Sequence, residues 1–136
     1  MNIELSEIEY RRLLDLVYIG NWVLNSTRGS DRIDEYDAVE SRIFSYCPSV
    51  SMNSLAVTYA GVTVPSDEYA EGGIHEAIAD YESTVFYDIL AQELAFRDMD
   101  ITEVTEEKYD ELNNRVEEYL AEFEENGLDN LTLDQN

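Results

Sequence analysis

Every fold open to this chain has to keep 31 carboxylates in water, because 31 acids against 8 bases leave a formal charge of −23. Unpaired charge is costly to bury, so the acids must take outward faces and the apolar residues must all turn inward. Helices with one apolar stripe meet that demand directly. The chain has 44% hydrophobic residues over 136 positions, enough for a core, so disorder of the whole chain is not expected. Its length fits one domain, residues 1–136.

The same charge excludes partners. DNA, RNA and anionic membranes need neutralising positive charge, so direct nucleic-acid or membrane-surface binding is not expected. The apolar run at 13–24 includes Asp15 and Asn21 and is shorter than the roughly 20 residues a span requires; it reads as a buried core helix. Cys47 is the single cysteine and has no internal disulfide partner, which suits a reducing cytoplasm, the expected location. The first ten residues hold Glu4, Glu7 and Glu9 and no base, unlike a secretory signal.

Four helices are expected. Helix 1 covers about 6–26, with Ser6 as N-cap and Glu7 and Glu9 in its first turn, where the dipole favours acids. Leu13, Leu14, Leu16, Val17, Ile19, Trp22, Val23 and Leu24 point in nearly every direction, which predicts a central helix packed on several sides. Helix 2 covers about 31–46 and closes before Pro48. Residues 43–66 then carry no charge at all, and 55–64 is rich in β-branched residues. It reads as strands or a hairpin bending at Ala60-Gly61, a covered crossover or else an edge that pairs with another chain. Helix 3 covers about 74–97. Helix 4 covers about 103–126, capped by Thr102 or Thr105 and ended by Gly127. The tail, 128–136, is expected to fray, with a part of it docked through its leucines. The fold class is therefore mainly α: a compact four-helix domain with a short β-prone segment or hairpin, at about 54–64, between helices 2 and 3.

Chemical motifs are absent. One histidine, His75, and one cysteine cannot supply the four ligands of a structural zinc site, and no Glu-x-x-His pair exists for a di-iron centre. The run from Asp98 to Glu103 begins like a calcium loop but puts Glu103 where glycine belongs and Tyr109 where the terminal glutamate belongs. There is no Gly-x-Ser-x-Gly elbow, and Cys47 reads as a small buried hydrophobe. Lys108 is the one lysine, too few cations for phosphate chemistry. No cofactor and no metal are expected. The remaining catalytic reading needs Asp15, Glu82 and Glu93 to converge in a polar pocket; local pairing of Asp15 with Arg11 or Arg12, and of Glu93 with Arg97, is the simpler expectation.

Charge pattern is what remains informative. No Lys or Arg lies between Arg42 and Arg97. On helix 4, Glu103, Glu106, Glu107, Asp110, Glu111, Glu117, Glu118, Glu122 and Glu125 all fall outside the apolar arc, giving a negative face about 33 Å long. These residues are the candidate partner-binding set. The expected function is that of a non-enzymatic acidic protein engaging a basic protein surface, such as the groove of a nucleic-acid-binding protein. Small acidic phage-borne inhibitors, the nucleic-acid-mimicking anti-restriction and anti-CRISPR proteins among them, are similar to this chain in charge and size, though in no motif. Two other accounts compete: salt adaptation, and an ordinary acidic surface on a protein that acts, or forms a homodimer, through 43–66.

Overall fold

The computed structural model describes residues 1–133. Among these residues the chain is mainly α, with four main helices and an antiparallel hairpin between the second and third. Helix α1 is Glu7–Asn25, α2 Asp34–Phe44, α3 His75–Met99 and α4 Tyr109–Asn126; β1 is Ala56–Tyr59 and β2 Val62–Pro65. The expectation of one domain over 1–136 meets a division into two compact units, Met1–Ile78 and Ala79–Asn136. Each is described by itself.

In the first unit, α1 begins at a complete capping box. Ser6 accepts the Glu9 N–H, and the Glu9 carboxylate accepts the Ser6 N–H at 2.8 Å, so two orphan donors are satisfied reciprocally. One face of α1 is buried through Tyr10 and Leu14. Phe44, Cys47, Tyr69 and Ile74 complete the core, with Phe44 and Tyr69 edge to face at 5.0 Å between ring centroids. Leu14, Phe44 and Cys47 are fully buried.

The expected all-round packing of α1 is corrected. Ile8, Leu16 and Val23 face solvent, Leu16 at 70% exposure. Three apolar positions of α1 thus stay in water, while Tyr10 and Leu14 are buried and Tyr18 and Ile19 pack against the core.

The hairpin pairs Val57 with Val64, Thr58 with Thr63 and Tyr59 with Val62. Its two turn residues, Ala60 and Gly61, have φ of 48° and 81°, the positive values that match the right-handed twist of the strands. The bend therefore falls at the expected Ala60-Gly61. Against α2, the Thr63 N–H donates to Ser41 Oγ at 3.2 Å. The uncharged segment is not the covered crossover expected of it: Tyr59 is 69% exposed, and Val62 also faces solvent. After β2, Ser66 caps a helical turn at Asp67–Tyr69, and a wide turn at Ala70–Ile74 leads into α3.

In the second unit, α3 and α4 share a small core of Ala91, Leu94 and Phe123, flanked by Tyr87, Leu90, Val116, Tyr119 and Leu120. The start of α4 is six residues later than expected. Thr105 Oγ accepts the Lys108 N–H at 3.3 Å and its carbonyl accepts it at 3.2 Å. That closes a separate turn, and regular helix begins only once the Leu112 N–H reaches the Lys108 carbonyl, at 2.9 Å. Glu103, Glu106 and Glu107 therefore precede the helix, and its acidic face, Asp110 to Glu125, shortens to about 22 Å. Gly127 ends α4 at φ 58°, in keeping with glycine's freedom there. Of the tail expected to fray, Asn130 donates to Glu122 at 2.6 Å; residues 134–136 lie outside the described part of the chain.

The end of α3 carries a correctable fault. The Ile101 N–H reaches back to the Phe96 carbonyl at 3.1 Å and the Asp100 N–H to Arg97 at 3.2 Å, the paired bonds of a Schellman ending. The left-handed position, φ 52°, is held by Asp100 where glycine is usual, and its charge faces the negative end of the helix dipole. Replacing Asp100 with glycine is expected to stabilise the chain by about 0.5–1 kcal/mol, read as a higher urea midpoint. An unchanged or lower midpoint would contradict this account.

Candidate interaction surfaces

On α4 the acids and the apolar seam lie on opposite sides. Leu112 and Phe123 are buried. Asp110, Glu111, Glu117, Glu118 and Glu125 are exposed, and Glu122 is half-buried. Within this set, Glu111 faces Arg115 at 3.5 Å, and Glu122 accepts from Asn126 at 3.1 Å and from Asn130. Asp110, Glu117, Glu118 and Glu125, with Glu103, Glu106 and Glu107 in the preceding loop, make no ion pair among the described residues. The candidate set is thus brought together in part: six positions share one helix, and three sit on the approach to it.

Most bases are already committed. Arg28 holds Asp31 at 2.9 Å, Arg32 holds Asp37 at 2.6 Å, and Arg97 holds Asp98 at 2.9 Å. Tyr119 donates a hydrogen bond to Asp98. That bond first, and Arg97 second, hold the Asp98 carboxyl below its ordinary range. Asp98, the first position of the failed calcium loop, is therefore occupied by protein groups. Negative charge elsewhere goes largely uncompensated from within.

The three carboxylates of the catalytic reading do not form its pocket. Asp15 is bound by Arg11 at 2.7 Å and accepts the Tyr69 hydroxyl at 2.8 Å. Glu82 and Glu93 are exposed and lie eleven residues apart, about 16 Å along α3. The expected pairing of Asp15 with Arg11 is seen. That of Glu93 with Arg97 is corrected: Arg97 turns to its neighbour Asp98, whose carboxylate Tyr119 already holds in place.

Sequence reasoning missed a buried polar cluster. Asn25 donates to the Ile33 carbonyl at 3.0 Å and to Asn21 at 2.8 Å, and accepts the Ile33 N–H at 2.8 Å. Asn21 donates in turn to Asp37 at 2.9 Å and Glu40 at 3.1 Å. Glu40 lines an open polar cleft of about 220 Å³ with Tyr18, Trp22 and Arg32, and burial pushes its carboxyl up. A signal was present: Asn21 and Asn25 lie one turn apart on the same face as Tyr10 and Leu14. His75 opens α3, with Nε2 2.6 Å from the Tyr18 hydroxyl. An apolar cleft of about 310 Å³ opens between Ile3, Leu5, Leu13, Ile43 and Val50.

No protein-family model, curated protein or solved structure matches this chain. No helix among the described residues is long and apolar enough to cross a membrane.

Proposed function

We propose that this chain is a non-enzymatic acidic interaction protein that engages a basic protein surface, with the α4 face as its contact. The observation that carries the reading is the row Asp110, Glu117, Glu118 and Glu125, exposed on one helix and without internal ion pairs. Such a face is attracted to a positive groove and can compete there with phosphates. The finer reading is a nucleic-acid-mimicking inhibitor of the anti-restriction or anti-CRISPR kind, found in the cytoplasm.

Candidate nucleic-acid-binding proteins with basic grooves provide the test. Binding should weaken at least ~10-fold between 50 and 500 mM salt, as screening predicts. It should also weaken in the triple variant Asp110→Lys, Glu117→Lys, Glu118→Lys, whose exposed positions leave the fold intact. Binding indifferent to both changes would refute the α4 contact. The second reading, action through 43–66, draws on exposed, uncharged Tyr46, Tyr59 and Val62. It is favoured instead if Tyr59→Ser abolishes binding and the α4 reversals do not.

A further inference from the structure

The polar cleft beside α1 and α2 combines a carboxylate that lacks a cation with an aromatic wall. Tyr18 and Trp22 line it one turn apart on α1, Ser26 just after that helix, and Asn21, Arg32 and Glu40 complete it. All six belong to the Met1–Ile78 unit. Arg32 is not free to hold a ligand, because it makes two bonds to Asp37, at 2.6 and 2.7 Å, the fork geometry of a strong pair. Glu40 is the reverse case. Its Oε2 accepts the Asn21 amide at 3.1 Å, and among the described residues no hydrogen bond or ion pair reaches its other oxygen. Once Arg32 and Asp37 cancel, Glu40 leaves the cleft negative.

Carboxylate and ring are both held in place from within the unit. Asn25 donates to Asn21 Oδ1 at 2.8 Å, which turns the Asn21 amide nitrogen toward Glu40. Tyr69 and His75 meet the Tyr18 ring edge to face, at 5.2 and 5.5 Å between centroids, and the Tyr18 hydroxyl lies 2.6 Å from His75 Nε2. Burial pushes the Glu40 carboxyl up, the cost of holding a carboxylate partly out of water with no cation beside it. A cation in the cleft relieves that cost. The donor set does not suit a metal ion, since no group of three His, Cys, Asp or Glu among the described residues could hold one. An organic ammonium needs only a counter-ion and aromatic rings. A methylated one fits best, because it brings no N–H donors to satisfy. The cleft volume of about 220 Å³ is below the roughly 300–1,000 Å³ of sites for drug-sized ligands, so the ion is small.

We propose that this cleft binds a small organic ammonium ion of the trimethylammonium class, with Glu40 as its counter-ion and Tyr18 and Trp22 as its aromatic wall. Asn21 is a positioning residue that holds Glu40 in place. The site takes nothing from the α4 face or from 43–66, so it stands independently of any engagement with a basic partner.

Trp22 is the only tryptophan in the chain, so the fluorescence of the whole native protein reports on this cleft directly. The titration uses choline in about 0.15 M NaCl, where the general attraction of the chain for cations is screened beyond ~8 Å. The signal should change saturably, with a half-point below ~1 mM. The neutral analogue of choline, with a tert-butyl group in place of trimethylammonium, should bind at least ~10-fold more weakly. Glu40→Gln keeps the shape and should weaken choline at least ~10-fold, with helical circular dichroism unchanged. Glu35→Gln removes an exposed acid of the same helix that does not line the cleft, and should leave the half-point where it was. A signal that does not saturate overturns the proposal. So does a neutral analogue that binds as well as choline, a Glu40→Gln variant that binds as the wild type does, or a loss in Glu35→Gln as large as that in Glu40→Gln.

Discussion

Tyr69→Ala is expected to destabilise the Met1–Ile78 unit by about 3–5 kcal/mol, the usual cost of emptying a large aromatic site in a core. Tyr69 is 1% exposed, and its ring touches Phe44 at 5.0 Å and Tyr18 at 5.2 Å between centroids. The Arg11 guanidinium lies over the same ring at 5.1 Å. Its hydroxyl meets Asp15 at 2.8 Å, and burial together with that carboxylate pushes the phenol up. One side chain thus joins the helical turn after the hairpin to both α1 and α2. The comparison that separates packing from polarity is Tyr69→Phe. It keeps the ring, and Asp15 keeps Arg11, so its cost is expected near 1 kcal/mol. Urea unfolding of the two variants measures both. Equal losses would mean the hydrogen bond, not the ring, sustains the core.

Asn25→Leu is the second large effect, expected at about 2–4 kcal/mol. The shape is nearly conserved, so an apolar core position would tolerate the exchange. Asn25 is instead 1% exposed and satisfies both backbone groups of Ile33, the residue just before α2. Leucine leaves the half-buried Ile33 backbone groups and the Asn21 carbonyl without partners. The loss should also be local: hydrogen exchange should rise first in the α1–α2 connection. A cost below ~1 kcal/mol would show that water can replace the amide there.

These two residues mark where the sequence was legible and where it was not. Ser6 followed by Glu9, and Ala60 followed by Gly61, are local chemistry, and each appears where local chemistry puts it. Helix identity was equally legible, because apolar spacing on α3 and α4 is regular over several turns. Coverage was not. The side chains of α1 point outward in most directions, and periodicity reports which of them could be buried, not how much chain is there to bury them; Leu16 and Val23 stayed in water. Nor did polarity reveal the pairing of Asn21, which read as a break in an apolar run, or of Asn25 just beyond it, because their partners, Ile33, Asp37 and Glu40, lie in the next segment. On α4, the charge set was legible, but a turn closed by Thr105 removed three of its members from the helix. Thr105 and Thr102 look alike as caps until one of them is seen to accept an N–H.

Cys47 gives the first unit a built-in gauge of its own opening. It is the only thiol in the chain and is fully buried, within 3.5 Å of the Tyr10 hydroxyl. A reagent that attacks thiols can reach it only when the surrounding helices part. The rate of its modification therefore counts how often that happens, with slow reagents reporting the population of the open form. No label has to be added and no residue changed, so the native chain carries its own record of how firmly it is closed.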